Sequence, residues 1–259
     1  TDNMSVLGLT IDYGPYGWLE DYDPGWTPNT TDAGGRRYCF GNQPQIAHWN
    51  LAQLSQTIAP LVEQPESLQQ ALGCYKKEFE RGWQSMMAQK LGLNAFDTET
   101  DDKLVTELQA ILQLVETDMT IFYRQLAKID VEPLTDVSKM TLLEPLMDAY
   151  YVPEQLTNDI TTRIGNWMCS YKARVCKDGT LNDTRRRRMD AVNPKYVLRN
   201  YLAQLAIDKA EKGDNSMVNK LLELLRHPYD EQPDKEEYAG KRPDWARHRA
   251  GCSMLSCSS

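Results

Sequence analysis

Basic side chains are outnumbered by acidic ones in this sequence, and histidine is scarce. It has 29 Lys and Arg side chains against 37 Asp and Glu, and its formal net charge is -8. A general binder of the nucleic-acid backbone needs a net basic face, so nucleic acid is not expected as a partner. The three histidines (His48, His227 and His248) lack metal-ligand spacing. We interpret His48 as a structural side chain at the start of a helix.

Long hydrophobic runs are missing as well. No window approaches the roughly 18 to 20 consecutive apolar residues of a membrane span, and the first residues lack the layout of a secretory signal. We therefore expect a soluble protein without a membrane partner. With 259 residues, 41% of them hydrophobic, the chain can bury a full core.

The cysteines lack the Cys-x-x-Cys spacing of zinc ribbons. The six are Cys39, Cys74, Cys169, Cys176, Cys252 and Cys257. Neither a zinc ribbon nor a small disulfide scaffold is expected from this pattern. Cys252 and Cys257 lie in the last eight residues, where a mobile tail favours redox chemistry.

Helical periodicity dominates the sequence from Trp49 onward, where apolar residues recur three and four positions apart. The pattern predicts one long amphipathic helix over 101–129 and further helices within 152–175, 193–214 and 215–228. Pro194 is predicted at a first helical position and Gly213 just past a helix end. Residues 4–12 are β-prone and predict a short hairpin, and the Gly-, Pro- and aromatic-rich stretch 13–45 predicts a long ordered loop.

The residues with the clearest chemistry are at the beginning. Asp2, Asn3 and Asp12 offer two carboxylates and an amide oxygen, which are hard ligands suited to Mg²⁺. Kinase-like folds carry a metal-binding Asp in an Asp-Phe-Gly turn, and Asp12-Tyr13-Gly14 resembles that turn. Asp, Asn and Gly are also ordinary turn residues, so these residue types leave both a metal site and simple capped turns open.

A family resemblance adds to this evidence. It runs along the whole chain through TDNMSVLGLTIDYGP, NQPQIAHWNLAQL, NPKYVLRNYLAQLAI and PYDEQPDKEEYAGKRP. These segments resemble the C-terminal half of the selenoprotein O family, which are protein adenylyltransferases with a protein-kinase-like fold. The family pattern is His-Gly-x-x-Asn-Thr-Asp-Asn followed by Asp-Tyr-Gly, and the chain begins within it at Thr1, Asp2 and Asn3.

The resemblance implies a role for each of these side chains. Asp2 would be the catalytic carboxylate that takes the proton of an acceptor hydroxyl. Asn3 and Asp12 would hold Mg²⁺, or Mn²⁺ in its place, against the phosphates of ATP, with Asp12 also counted as cofactor-binding. AMP would pass from ATP to a Ser, Thr or Tyr hydroxyl of a protein. The nucleotide-gripping residues are expected before Thr1, so we expect a fragment that is inactive alone.

The resemblance also concerns the tail. Cys257 occupies the position where eukaryotic members carry selenocysteine, which implies a redox role. Bacterial members often have a cysteine near the position of Pro28, so the partner of Cys257 stays open, with Cys39 and Cys252 as candidates. The family's setting would be cytoplasmic in bacteria and mitochondrial in eukaryotes.

The expected fold class is mainly α: a kinase-like C-lobe fragment with a short β-hairpin at its start and a helical C-terminal extension. We divide it into a metal-binding hairpin and ordered loop (1–48), a helical C-lobe and extension (49–227) and an extended tail (228–259). The six tryptophans are interpreted as anchors of loops and helices. The basic run from Arg185 to Arg188 is interpreted as a solvated face, with contact to an acidic protein substrate as the alternative.

Two other functions stay open. A non-catalytic helical regulatory or interaction module would make the Asp-Asn pair a simple turn. Ordinary kinase activity would transfer the γ-phosphate of ATP instead of AMP.

Overall fold

The computed structural model describes residues 21–27, 39–131 and 139–249, together with residues 4, 5, 7, 19 and 35–37. Over these residues the fold is mainly α, as predicted. Their only β pairing consists of two isolated antiparallel bridges, Asp21 with Asp118 and Thr117 with Tyr150. The predicted hairpin falls mostly on residues outside the described ranges, so it stays a prediction, as does the kinase-like C-lobe.

The described residues form nine α-helices, joined by turns and short 3-10 helices. They are α1 (Gln43–Ile58), α2 (Pro65–Leu91), α3 (Thr98–Ile111), α4 (Met119–Ala127), α5 (Lys139–Leu143), α6 (Asn158–Lys177), α7 (Asn182–Asp190), α8 (Asn200–Ala210) and α9 (Ser216–Leu225). None of the helices in the described ranges is long and apolar enough to cross a membrane.

The chain divides into two compact units. Of the described residues, the first unit comprises 4, 5, 7, 23–27, 35–37 and 39–84, and the second comprises 19, 21–22, 85–131 and 139–249. In the first unit, α1 and the first part of α2 are linked by the Tyr75 hydroxyl, which donates to the Pro44 carbonyl at 3.0 Å.

The core of the second unit is formed by α3, α4 and α6 with neighbouring turns. Leu108, Phe122 and Trp167 are almost completely buried there. The Trp167 indole N–H donates to the Leu104 carbonyl at 2.9 Å, and its ring stacks on Tyr171 with centroids 5.3 Å apart. Trp167 is therefore a core residue with a satisfied polar group, which agrees with its interpretation as an anchor.

A second apolar cluster lies between α8 and α9. It contains the buried side chains of Leu202, Leu221 and Leu224, together with Tyr238 and Ala246 from the segment that follows α9. That segment includes 3-10 helices at Pro233–Tyr238 and Asp244–Ala246. This segment, up to residue 249, thus belongs to the second unit and contributes to its apolar core.

The end of α2 requires a glycine. Gly92 has a φ of +72°, and a Cβ there would lie 2.7 Å from Arg185 Cγ and 2.8 Å from Met189 Sδ. Both the left-handed backbone and the close approach of α7 exclude a side chain. Gly213, predicted just past a helix end, also has a positive φ, of +83°, beyond α8.

The single long helix predicted over 101–129 is wrong. The structure has two helices there, α3 and α4, separated by a turn at residues 112–118. The turn is stabilised by bonds to a distant segment, because Asp118 N–H donates to the Ala149 carbonyl at 2.7 Å and Tyr151 N–H to the Glu116 carbonyl at 3.0 Å. The apolar pattern continues through the turn at Val115, which is why periodicity does not reveal the break.

Two helix starts also differ from the prediction. Pro194 is not in a helix, and α8 begins only at Asn200. The backbone N–H groups of Lys195 and Tyr196 instead donate to the Pro228 carbonyl, at 2.8 and 3.1 Å. The first helix, α1, begins at Gln43 rather than at Trp49, since Pro44 fits its first turn.

Candidate functional site

The predicted site residues Asp2, Asn3, Asp12 and Cys257 all lie outside the described residues. Their roles therefore stay predictions. Within the described ranges, no group of three or more His, Cys, Asp or Glu side chains could hold a metal ion. The structure does show which charged side chains the helical part brings together.

The most buried of these is an ion pair between Asp118 and Arg199. Their side chains are 0% and 1% exposed, and Arg199 Nη1 and Nη2 donate to the two carboxylate oxygens at 2.6 and 3.2 Å. Asp118 also caps α4 by accepting from Ile121 N–H at 2.9 Å. The Tyr151 hydroxyl donates to the same carboxylate at 3.1 Å. This arrangement satisfies both charges and fixes the start of α4.

Next to this pair, Glu116 attaches the segment after α9. Arg242 donates to Glu116 Oε1 at 2.6 Å and Arg247 to Oε2 at 2.7 Å. Hydrogen bonding to Glu116 raises the pKa of Arg247, so this arginine stays charged. The two guanidinium groups also lie over the Tyr151 ring, 5.2 and 5.8 Å from its centroid.

A cleft of about 350 Å³ lies beside α4. Charged side chains that line it include Arg124, Lys128, Lys195 and Glu231. Arg124 donates to Glu231 at 2.5 Å, and Lys195 bridges Glu231 and Glu236 at 2.5 Å each.

The charges of this cleft largely neutralise one another. The hydrogen bond from Lys195 lowers the pKa of Glu231. Burial alone would lower the pKa of Lys195, but its bonds to Glu231 and Glu236 outweigh burial and raise it. Both shifts favour the charged forms of a pair that is already bonded, so neither group is poised to exchange a proton, and we assign the cleft no catalytic role.

The basic run needs a correction at Arg185. Its side chain is fully buried rather than solvated. The guanidinium donates to the Ala127 carbonyl at 3.1 Å, to the Ile129 carbonyl and to the Tyr171 hydroxyl at 3.0 Å. Arg188 also turns inward and donates to the Leu93 carbonyl at 2.8 Å, whereas Arg186 is exposed. The run thus joins α7 to the ends of α2 and α4.

Comparison with known proteins decides the family. A family model described as protein adenylyltransferase SelO matches residues 1–226. The chain belongs to the SelO family. The match includes Asp2, Asn3 and Asp12 as well as the helices of both units.

Curated relatives of this SelO-family chain carry the name protein nucleotidyltransferase YdiU. The relative from Rhodopirellula baltica is 59% identical over 266 residues, which cover 100% of this chain and 49% of the relative. The relative from Aromatoleum aromaticum is 54% identical over 259 residues, covering 100% of this chain and 48% of the relative. The chain thus spans about half the length of the curated relatives it matches.

Sequence reasoning missed the charged residues that organise the helical part of this SelO-family chain. Asp118 carries a local signal, since an Asp before an apolar helical stretch is a common N-cap. Nothing local marks Arg199 as its partner, because the two residues are 81 positions apart. Arg185 cannot be distinguished by sequence from the three arginines that follow it, because only the fold determines which of the four is buried.

Proposed function

We propose that this chain is part of an ATP- and Mg²⁺-dependent protein adenylyltransferase that transfers AMP to Ser, Thr or Tyr hydroxyls of proteins. The observation that carries the proposal is the family match. It begins at residue 1 and so includes Asp2, Asn3 and Asp12. The relatives' names support nucleotidyl transfer to proteins.

The donor set of the proposed site fits the proposed metal. Asn3 and Asp12 supply an amide oxygen and a carboxylate, the hard ligands that Mg²⁺ prefers. The bound ion would neutralise charge on the phosphate oxygens of ATP. Mn²⁺ accepts the same ligand type and could replace it.

Asp2 is proposed as the catalytic carboxylate. It would accept the proton of the acceptor hydroxyl while that oxygen forms a bond to the α-phosphorus of ATP. The bond between the α-phosphorus and the oxygen that bridges it to the β-phosphorus would break, and pyrophosphate would leave. In such transfers most of the rate gain comes from positioning and charge stabilisation.

The α-label of ATP tests this proposal against kinase activity. The enzyme preparation is a longer protein that contains this chain and has the full length of the relatives. It is incubated with an acceptor protein and with ATP that is labelled on either the α- or the γ-phosphate. We expect label in the acceptor from α-labelled ATP alone, and none from either nucleotide with the 259-residue chain by itself. Label from γ-labelled ATP would indicate a kinase, and label from neither would favour the non-catalytic module. Because the relatives named above come from bacteria, we propose that the reaction takes place in the bacterial cytoplasm.

A further inference from the structure

An open groove between α3 and α6 has no role in the reaction proposed above. It has a volume of about 510 Å³ and lies within the second unit. One face of each helix lines it, with residues 100, 101, 103, 104 and 107 from α3 and residues 163, 166, 167, 170, 173, 174 and 177 from α6. These spacings of three and four positions give each helix a continuous stripe along the groove.

The two helices are antiparallel along this groove. Arg163 donates to Glu107 at 2.6 Å at one end, and Arg174 donates to Asp101 at 2.7 Å at the other. The stretch of α6 between these arginines spans about 16 Å at 1.5 Å per residue. An extended peptide of about five residues has the same length.

The floor of the groove is apolar and nearly closed to solvent. Leu104 and Trp167 are buried, and the Trp167 indole N–H is already bonded to the Leu104 carbonyl. The exposed Ala173 leaves room above α6. A ligand can therefore contact apolar surface here without leaving the indole unpaired.

The rim of the groove is cationic. Four Lys or Arg side chains line it (Lys103, Arg163, Arg174 and Lys177) against two carboxylates, Asp101 and Glu107. Each carboxylate is already bonded to an arginine, Asp101 is completely buried, and Arg174 also pairs with Asp178 at 2.7 Å. Lys103 and Lys177 are exposed and make no ion pair with another described residue. The positive charge not paired at the rim is therefore that of these two lysines, in a chain whose formal net charge is -8.

We propose that the α3–α6 groove binds an extended acidic segment of the protein acceptor, an inference that rests on the proposed function for the identity of the partner. Its acidic side chains pair with Lys103 and Lys177 at the rim, and its apolar side chains lie over the floor of the groove beside the exposed Ala173. Because the net charge of the chain is negative, attraction of an acidic segment depends on local positive charge such as that of these two lysines.

Direct binding tests the proposal without relying on activity. The probe is a fluorescent peptide of about ten residues with alternating Glu and Val at its centre, and a version with Gln for Glu is the neutral control. Fluorescence anisotropy measures its affinity for the 259-residue chain and for the longer protein. Lys103→Glu with Lys177→Glu reverses the rim charge, and Lys76→Glu with Lys77→Glu makes the same charge change on the exposed face of α2.

We expect the rim variant to weaken binding of the acidic peptide about tenfold or more and the α2 variant to change it less than about twofold. Ala173→Trp, which fills the groove without changing charge, should weaken binding about fivefold. Circular dichroism checks that all variants keep their helices. Equal losses in the rim and α2 variants, unchanged binding by Ala173→Trp, displacement by inorganic phosphate alone, or no binding by the unmodified chain would each overturn the proposal. If the peptide binds but the longer protein transfers no AMP, the groove stands and the proposed function fails.

Discussion

At the scale of single residues, Lys90 lies in an unusual environment for a lysine, within the second unit. Its Nζ donates to Asn193 Oδ1 at 2.8 Å and lies 4.2 Å from the centroid of the Tyr123 ring. Burial lowers its pKa from 10.5 to about 8. The folded state therefore releases this proton at a lower pH than the unfolded state does.

This difference predicts how stability depends on pH. Between pH 8 and 10 the unfolded chain binds more protons at Lys90 than the folded chain, so the free energy of unfolding should rise with pH, by about 2 kcal/mol from this group. Burial raises the pKa of Tyr171 to about 12. Above about pH 10 tyrosine therefore loses its proton more readily in the unfolded chain than in the folded one. The free energy of unfolding should then stop rising with pH.

Lys90→Met tests this explanation. The apolar side chain has a similar length and does not titrate, so the rise in stability between pH 8 and 10 should disappear. Urea denaturation at several pH values measures the slope, and Lys76→Met, at an exposed position of α2, serves as the control. A variant at position 90 with the same slope as the unmodified protein would contradict the assignment.

At the scale of elements, the most informative feature is the break between α3 and α4. The sequence correctly predicted helices over most of α6 and α9, because their apolar stripes and ends are local signals. The break could not be predicted in this way. Its cause is non-local, since the turn bonds to Ala149 and Tyr151 and the cap residue Asp118 pairs with Arg199.

Two aspartate caps allow a matched test of this element. Asp118 and Asp97 both cap helices, α4 and α3, by accepting from a backbone N–H. Only Asp118 of the two is buried against a guanidinium. Asp118→Ala should lower the free energy of unfolding by about 3 to 5 kcal/mol, because it removes the cap of α4 and the carboxylate that pairs with the buried Arg199 guanidinium.

Asp97→Ala should cost only about 1 kcal/mol, the usual value of an exposed cap. Urea denaturation near neutral pH compares the two variants. Similar losses would show that the buried pair adds nothing beyond capping. Asp118→Ala with Arg199→Met should recover part of the loss, since the buried guanidinium is then removed together with its carboxylate.

At the scale of the whole molecule, family and helical class could be predicted from the sequence, while the internal contacts could not. Segments such as TDNMSVLGLTIDYGP are sufficient to predict the family, and the family match over residues 1–226 confirms that prediction. The roles of Arg185 and Arg199 depend on carbonyl and carboxylate oxygens supplied by distant segments. Such partners are set by the fold and leave no local pattern.

The proposed activity depends on Asp12 as a ligand of the metal beside ATP. The decisive measurement is the incorporation of label from α-labelled ATP into an acceptor protein by the longer protein with Asp12→Ala, with Asp102→Ala in the exposed part of α3 as the control. We expect Asp12→Ala to lower transfer at least about a hundredfold with an unchanged unfolding midpoint, and Asp102→Ala to retain it. Transfer by Asp12→Ala at a rate close to that of the unmodified protein, at saturating Mg²⁺, would contradict the proposed site.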